Sequence, residues 1–151
     1  MAMPKIGRSL RAHAVLFDTG AYVALADADD ESHDIAQAYL QTITDQRLPF
    51  FTTSPVIYES HRLLLHGLGI KPARRFLATV ISSPVTVIRP HDAHEQTARS
   101  LLDRYRDVKL TLTDAVSMAV MMDLGIANAF SFDDDFTIAG LIRVPELLRP
   151  R

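Results

Sequence analysis

Five short apolar segments alternate with longer segments that carry helix signals, and this alternation limits the possible folds more than any other feature. The apolar segments cover residues 14–18, 50–53, 85–88, 129–132 and 141–144. Short apolar runs bounded by turn signals are typical of strands that are covered on both faces. Strands that alternate with helices form a mostly parallel sheet. The sequence therefore predicts a three-layer α/β fold with about five strands and helices on both faces.

The segments between these strands have recognisable helix ends. Ser54 is predicted as an N-cap with Pro55 at the first helical position, and that helix should end at the breakers Gly67 and Gly69. Either Thr111 or Thr113 should cap the helix that stops near Gly125. The remaining helices are predicted at about 19–27, 32–45, 72–82 and 91–106.

The size and composition of the chain favour one ordinary globular domain. Its 151 residues are 48% hydrophobic and 23% charged, and we expect a loose tail over 1–12 followed by one domain over 13–151. No apolar run approaches the roughly 18 residues of a membrane span, and residues 1–13 lack the apolar centre of a secretory signal. We therefore expect a cytoplasmic protein. Because there is no cysteine, any metal must be held by oxygen or imidazole.

Charge is unevenly distributed although the net charge is only −2. Residues 12–46 hold seven acidic side chains and no Lys or Arg, whereas residues 60–91 hold five basic side chains and no acid. We expect an RNA-backbone surface on the helices of the basic stretch, and solvated helix faces without a function are an equally good interpretation. The candidate residues are Arg62, Lys71, Arg74 and Arg75.

Four carboxylates occur at the ends of apolar strands or within apolar helical stretches, where charged residues are uncommon. Asp18 and Asp133 follow predicted strands, and Glu59 and Asp114 lie within predicted helices. Sites in open α/β sheets form outside the carboxyl ends of the strands. A buried carboxylate is costly unless it is paired, hydrogen-bonded or bound to metal. We therefore expect all four to converge in one pocket that binds a cation.

Helical spacing predicts the directions of the two helical acids. Val56 and Leu63 flank Glu59 at −3 and +4, which predicts that Glu59 faces inward. Asp114 shares a face with residues predicted to be buried, namely Ser117, Met118 and Met121.

Each acid also has a purely structural interpretation. Asp18 could cap a turn or a helix, and the spacing of Thr111 and Asp114 fits a capping box. Taken singly, these interpretations are at least as good as a functional one. Four acids together, two at strand ends and two on inward faces, are much harder to explain as caps.

Four blocks of sequence carry a family resemblance. They read LFDTGAYVAL at 16–25, SPVIYE at 54–59, LTDAVSMAVM at 112–121 and SFDDDF at 131–136. In this order and spacing the chain resembles the PIN-domain nucleases, and within them the VapC-like toxins of bacterial toxin–antitoxin pairs. The resemblance implies a PIN-like fold, a metal-dependent ribonuclease, an RNA substrate and a small antitoxin partner.

The resemblance also implies the site residues. It assigns the four family acids to Asp18, Glu59, Asp114 and Asp133. Two positions depart from the family pattern. Ser131 stands where the family commonly has Thr, and Asp135 could replace Asp133 as the fourth acid. Asp133 is preferred because it is predicted to end the strand directly.

The chemistry of phosphodiester cleavage agrees with these residues. One or two Mg²⁺ or Mn²⁺ ions can activate water and neutralise charge on the phosphate, and both prefer oxygen ligands. We expect Asp18 and Asp114 to be the main ligands, Asp133 to help directly or through water, and Glu59 to bind a second ion or orient the attacking water. Thr19 and Ser131 are expected to hold a carboxylate or touch the phosphate.

The histidines are not expected to take part in catalysis. His61 and His66 are too far apart on a helix to form a metal pair, and His91 and His94 are predicted to be solvated at a helix start. A cluster of three methionines is predicted to pack in the core or at the interface of a homodimer. These are Met118, Met121 and Met122.

Other functional classes remain open at this point. A PIN-fold nuclease that processes RNA outside a toxin pair would carry the same acids, whereas a non-catalytic binding domain would not need the full set. A response-regulator-like phosphotransferase would need a lysine near a later strand end, and the sequence shows none.

Overall fold

An all-parallel sheet of five strands forms the centre of the molecule in the computed structural model, which describes residues 12–146. The strands lie in the order β3-β2-β1-β4-β5. The predicted tail over 1–12 lies almost wholly outside the described residues. The strand bounds are β1 Val15–Phe17, β2 Phe50–Thr53, β3 Thr86–Ile88, β4 Asn128–Phe130 and β5 Ile142–Val144.

Seven helices connect these strands in the described part of the chain. The last of them, α7, was not predicted from the sequence. The helix bounds are α1 Thr19–Ala26, α2 His33–Asp45, α3 Ser54–Leu68, α4 Ile70–Ser82, α5 Asp92–Arg104, α6 Leu112–Leu124 and α7 Asp135–Ile138.

Two hydrophobic cores lie on opposite faces of the sheet, because side chains alternate along each strand. Val15 and Phe17 of β1 belong to the core under α1, α2, α3 and α4. Leu16, between them, belongs to the core under α5 and α6. Within β4, Ala129 and Phe130 divide in the same way. The predicted three-layer α/β fold is confirmed.

The central strand pair fixes the position of the candidate site. β1 pairs with both β2 and β4, so the chain leaves β1 towards one side of the sheet and returns on the other. Ligand sites of open α/β sheets form at such a reversal, outside the carboxyl ends of the two strands. Asp18 follows β1 at this edge, and Ser131 follows β4.

Several element boundaries differ from the predictions by one or two residues, and three of these differences change the place of a named residue. β4 ends at Phe130, so Asp133 lies three residues beyond the strand and does not end it directly. Just beyond the strand, the Ser131 N–H still donates to the Val144 carbonyl oxygen at 3.1 Å, and the Ser131 hydroxyl donates to Asp18. Ser54 is the first residue of α3, with Thr53 as the N-cap, and Gly67 lies inside this helix.

No helix in residues 12–146 is both long enough and apolar enough to cross a membrane.

Candidate active site

Asp18 is the most buried acid of the site. Its side chain is 2% exposed, and its Oδ2 atom accepts a hydrogen bond of 2.9 Å from the Ser131 hydroxyl. The other oxygen, Oδ1, is buried and has no hydrogen-bond partner. Burial, and then repulsion from Asp114 and Asp133, raises the pKa of Asp18 to about 7, against the opposing effect of the Ser131 hydroxyl.

Asp114 reaches the same place from the first turn of α6. Its backbone N–H donates to Thr111 Oγ1 at 3.1 Å, so Thr111 is the N-cap residue of this helix. Thr111 therefore caps the backbone of Asp114, and the buried carboxylate lies in the pocket. Burial raises the pKa of Asp114 to about 6, partly opposed by the Thr111 hydroxyl, with repulsion from Asp133, Glu59 and Asp135 adding to the rise.

Asp133 and Asp135 both lie beside Asp114. One carboxylate oxygen from each of the three can be chosen so that all lie within 4.8 Å of one another. The Asp135 N–H donates to Asp133 Oδ1 at 2.9 Å, and the Asp133 N–H lies 3.3 Å from Ser131 Oγ. Burial and the neighbouring aspartates raise the pKa of Asp135. Asp135 thus joins Asp133 at the pocket, although the sequence had offered them as alternatives.

Glu59 borders the pocket and is not turned into the core as predicted. The inward stripe of α3 consists of Val56, Ser60 and Leu64, which are spaced four residues apart and fully buried. Glu59 lies beside this stripe and is half-buried, and Leu63 is 45% exposed. The Thr19 hydroxyl donates to Glu59 Oε2 at 3.1 Å and so ties α1 to α3 at the pocket.

These residues line one cavity of about 490 Å³, which we call the acidic pocket. Sequence reasoning missed three of its charged residues, Asp30, Glu31 and Lys109, because each comes from a connecting segment and not from a strand end or a helix face. Charge asymmetry in residues 12–46 was the available signal for the two acids. The seven carboxylates of the pocket are Asp18, Asp30, Glu31, Glu59, Asp114, Asp133 and Asp135.

The donor chemistry of the acidic pocket suits a hard divalent cation. All of its anionic donors are carboxylate oxygens, the ligands that Mg²⁺ and Mn²⁺ prefer. An orphaned carboxylate oxygen that is buried, such as Asp18 Oδ1, is costly without a hydrogen bond or an ion. The residues therefore fit a metal: Asp114, Asp133 and Asp135 have the close spacing of metal ligands, and Asp18 and Glu59 line the same pocket.

The predicted basic surface lies outside the acidic pocket. All four of its residues are exposed on α3 and α4. Arg62 follows Glu59 by three residues on α3, so the two side chains are neighbours on that helix. Arg75 lines a different, apolar groove. The set is Arg62, Lys71, Arg74 and Arg75.

The prediction for one of the histidines was wrong. His94 is 6% exposed, because it lies on the stripe of α5 that packs inward with Ala98 and Leu101. The His91 backbone N–H donates to His94 Nδ1 at 3.2 Å, so the proton of the neutral ring lies on Nε2, which donates to Asp123 Oδ2 at 2.8 Å. His94 thus links α5 to α6. His91 is exposed, as predicted.

The methionines of α6 divide between core and surface. Met118 and Met121 are 1% and 0% exposed and belong to the core, whereas Met122 is 44% exposed.

Comparison with known proteins identifies the fold family. The pattern of the PIN domain matches residues 15–140. The chain belongs to the PIN-domain family. The resemblance drawn from the four sequence blocks is therefore confirmed.

This PIN domain is similar to VapC20 in both sequence and structure. It is 31% identical over 130 residues to the 23S rRNA-specific endonuclease VapC20 of Mycobacterium tuberculosis, covering 86% of this chain and 97% of VapC20. The same identity and coverage hold for VapC20 of a second strain of that organism. The crystal structure of VapC20, a toxin that cleaves the sarcin–ricin loop, matches with a TM-score of 0.76 and 30% identity. That match covers 85% of this chain and 96% of the VapC20 chain.

Proposed function

We propose that this PIN-domain protein is a divalent-metal-dependent ribonuclease and the toxin of a toxin–antitoxin pair. One observation carries the metal-dependent site: buried Asp18, with an unpartnered Oδ1, shares a pocket with Asp114, Asp133 and Asp135. Buried polar atoms without a hydrogen-bond partner are uncommon in folded proteins, and a buried acid in a cleft is typical of a functional site. The kinship with an rRNA endonuclease toxin supports the reaction class and the toxin role.

In this proposal, Asp18 and Asp114 are the main ligands of Mg²⁺ or Mn²⁺, with Asp133 and Asp135 beside them. When bound, the ion supplies charge neutralisation at the scissile phosphate and a lowered pKa for the attacking water. Glu59, held by Thr19, is proposed to orient that water or to bind a second ion. The Ser131 hydroxyl holds Oδ2 of Asp18, which leaves Oδ1 available for the ion.

We propose a structured RNA as the substrate, with an rRNA hairpin as the first to test. VapC20 is specific for 23S rRNA and cleaves its sarcin–ricin loop, and it covers nearly the same span of sequence. Arg62, next to Glu59 on α3, would contact the RNA backbone nearest the acidic pocket. Lys71, Arg74 and Arg75 on α4 would extend this contact.

An apolar groove is the proposed seat of the antitoxin. It has a volume of about 1290 Å³ and lies between α1, α2 and α4, with Tyr22 and Phe76 in its lining. Within residues 12–146 its charged lining residues are Arg47 and Arg75, which favour an apolar segment with acidic side chains. Tyr22 lines the groove and Val23 the acidic pocket, so α1 separates the two. An antitoxin tail crossing α1 could place a cation among the carboxylates and block both metal and RNA.

Assembly and location remain predictions. We expect a homodimer, and an exposed apolar stripe on α3 offers a surface for it. This stripe comprises Tyr58, Leu65 and Leu68, whose spacings of seven and three put them on one side of the helix. A cytoplasmic location follows from the expected RNA target.

The proposed activity is tested with purified protein and an RNA hairpin that carries the sarcin–ricin loop. We expect cleavage with Mg²⁺ or Mn²⁺ that stops in EDTA, and a rate about 10- to 100-fold slower for Asp114→Asn. His66→Ala, an exposed change outside the pocket, is the control and should cleave as wild type does. Equal rates for wild type and Asp114→Asn, or cleavage in EDTA, would refute the metal-dependent mechanism.

A further inference from the structure

Lys109 is the one basic residue among those that line the acidic pocket within the described residues, where it stands against seven carboxylates. It belongs to the segment between α5 and α6 and is exposed. Neither the family pattern in the four sequence blocks nor the charge asymmetry along the chain pointed to it. Its position at a pocket of opposite charge requires an explanation.

The backbone on both sides of Lys109 is fixed. The Leu110 N–H donates to the Val108 carbonyl oxygen at 2.8 Å, which forms a γ-turn with Lys109 at its apex. The Val108 N–H donates in turn to the Tyr105 carbonyl oxygen at 2.9 Å. Tyr105 and Leu110 pack against the core on the α5–α6 face. The turn therefore holds the Lys109 backbone at the rim of the pocket, and the residue is exposed.

The charge of Lys109 is not used in an ion pair with the described residues. The ion pairs in residues 12–146 join His94 to Asp123 and Arg143 to Asp134. Lys109 lines the same pocket as the seven carboxylates but forms an ion pair with none of them, so its ammonium group remains available to an incoming anion. The anion that the proposed function brings to this pocket is the RNA phosphodiester backbone.

We propose that Lys109 binds an RNA phosphate and holds the strand beside the carboxylates. This inference rests on the proposed ribonuclease function. A phosphate that approaches the acidic pocket is repelled by the carboxylates that a metal does not neutralise. Lys109 supplies the compensating charge at the rim, at a phosphate next to the one that is cleaved. The alternative is that Lys109 relieves the repulsion among the carboxylates and does not contact RNA.

Three variants separate these two roles. Lys109→Ala removes the charge, and Lys109→Arg keeps it. Arg106→Ala is the matched control, because Arg106 lies in the same segment, is exposed and does not line the pocket. Cleavage of the RNA hairpin is measured against KCl concentration, and Mn²⁺ binding is measured without RNA by electron paramagnetic resonance. Circular dichroism confirms that each variant folds.

For phosphate binding, we expect kcat/KM of Lys109→Ala to fall about 10-fold, mainly through KM. The slope of log(kcat/KM) against log[KCl] should become shallower by about 0.7 to 1, the loss of one phosphate contact. The Mn²⁺ affinity should stay within about 3-fold of wild type, since an exposed lysine is largely screened from the ions. Lys109→Arg and Arg106→Ala should keep the wild-type slope.

Two outcomes would overturn the inference. An unchanged KM and salt slope with tighter Mn²⁺ binding would assign Lys109 to the carboxylates, and an unchanged result in every assay would leave it without a role. Binding of a labelled RNA hairpin to Asp114→Asn, with and without Lys109→Ala, repeats the comparison without cleavage. A wild type that does not cleave, combined with weaker RNA binding by the double variant, would contradict the proposed ribonuclease function but support phosphate binding by Lys109.

Discussion

At the scale of single residues, Asp18 shows what the sequence predicts and what it leaves open. Its position after an apolar strand predicted a place at the carboxyl edge of the sheet. Its almost complete burial and the lack of a partner for Oδ1 could not be predicted. Both depend on contacts between distant parts of the chain, such as the hydrogen bond to Oδ2 from Ser131, more than a hundred residues away. The site thus holds an acid whose charged form is unfavourable until a cation arrives.

This unfavourable charge predicts an unusual pH dependence of stability. The pKa of Asp18 rises from 3.8 to about 7, so without metal the folded protein holds more protons than the unfolded chain between about pH 4 and pH 7. The free energy of unfolding should therefore fall as pH rises through this range. Asp18→Asn removes the contribution of Asp18, although that of Asp114 remains, and should stabilise the protein at pH 8 in EDTA by on the order of 2 kcal/mol. At pH 4 the two proteins should be similar.

Urea unfolding at pH 4 to 8 in EDTA measures this difference. The control is Asp107→Asn, an exposed aspartate outside the acidic pocket, which should follow the wild-type curve. Saturating Mn²⁺ should reverse the order at pH 8, because an ion that binds only the folded state stabilises the wild type. If the free energy of unfolding of the wild type does not change with pH and Asp18→Asn is no more stable, the Asp18 carboxylate is not buried as described.

At the scale of elements, the local pattern was sufficient for every strand and for six of the seven helices of residues 12–146. The misses share one cause, which is that they depend on packing between elements. Beyond β4, Ser131 contacts both β5 and Asp18, and the buried His94 is hydrogen-bonded to Asp123 on α6. Glu59 was predicted to face inward because its apolar neighbour Leu63 was assumed to be buried, but Leu63 is exposed.

The link between α5 and α6 gives a prediction at this scale. His94→Ala removes the hydrogen bond to Asp123 and the acceptor of the His91 N–H, and it leaves a cavity beside Ala98. We expect a loss of about 1 to 3 kcal/mol in the free energy of unfolding, measured by urea titration. His66→Ala, an exposed histidine on α3, should change it by less than about 0.5 kcal/mol. Equal stability of His94→Ala and wild type would mean that His94 does not link the helices.

At the scale of the whole molecule, the sheet order brings distant acids to one edge. β1 and β4 are neighbours although 110 residues lie between Phe17 and Asn128, and α3 and α6 then add Glu59 and Asp114 from either side. The strand-end and helix-face positions of the four acids predicted that they converge, and the family resemblance added their roles. The apolar groove beside α1 and the position of Lys109 at the acidic pocket are properties of the assembled fold, so no local pattern predicts them.

The toxin role belongs to this scale because it concerns the whole protein in a cell. Expression of the chain alone should slow bacterial growth, and co-expression with its antitoxin should restore it. Asp114→Ala should be harmless at equal expression, since cleavage needs the acidic pocket. Growth curves with protein levels checked by immunoblot provide the measurement. If Asp114→Ala slows growth as strongly as wild type, toxicity does not arise from this pocket. Active RNA cleavage without growth inhibition would instead favour a nuclease that processes RNA outside a toxin pair.

The central claim is that the acidic pocket is built to bind the divalent ion on which RNA cleavage depends. The most direct measurement is an anomalous difference map from crystals of the wild type and of Asp18→Asn soaked in MnCl₂. We predict a strong wild-type peak within about 2.5 Å of Asp18 Oδ1 and an Asp114 carboxylate oxygen. The peak should be weak or missing in Asp18→Asn. A wild-type map without a peak in the acidic pocket, at a Mn²⁺ concentration that supports cleavage, would contradict the claim.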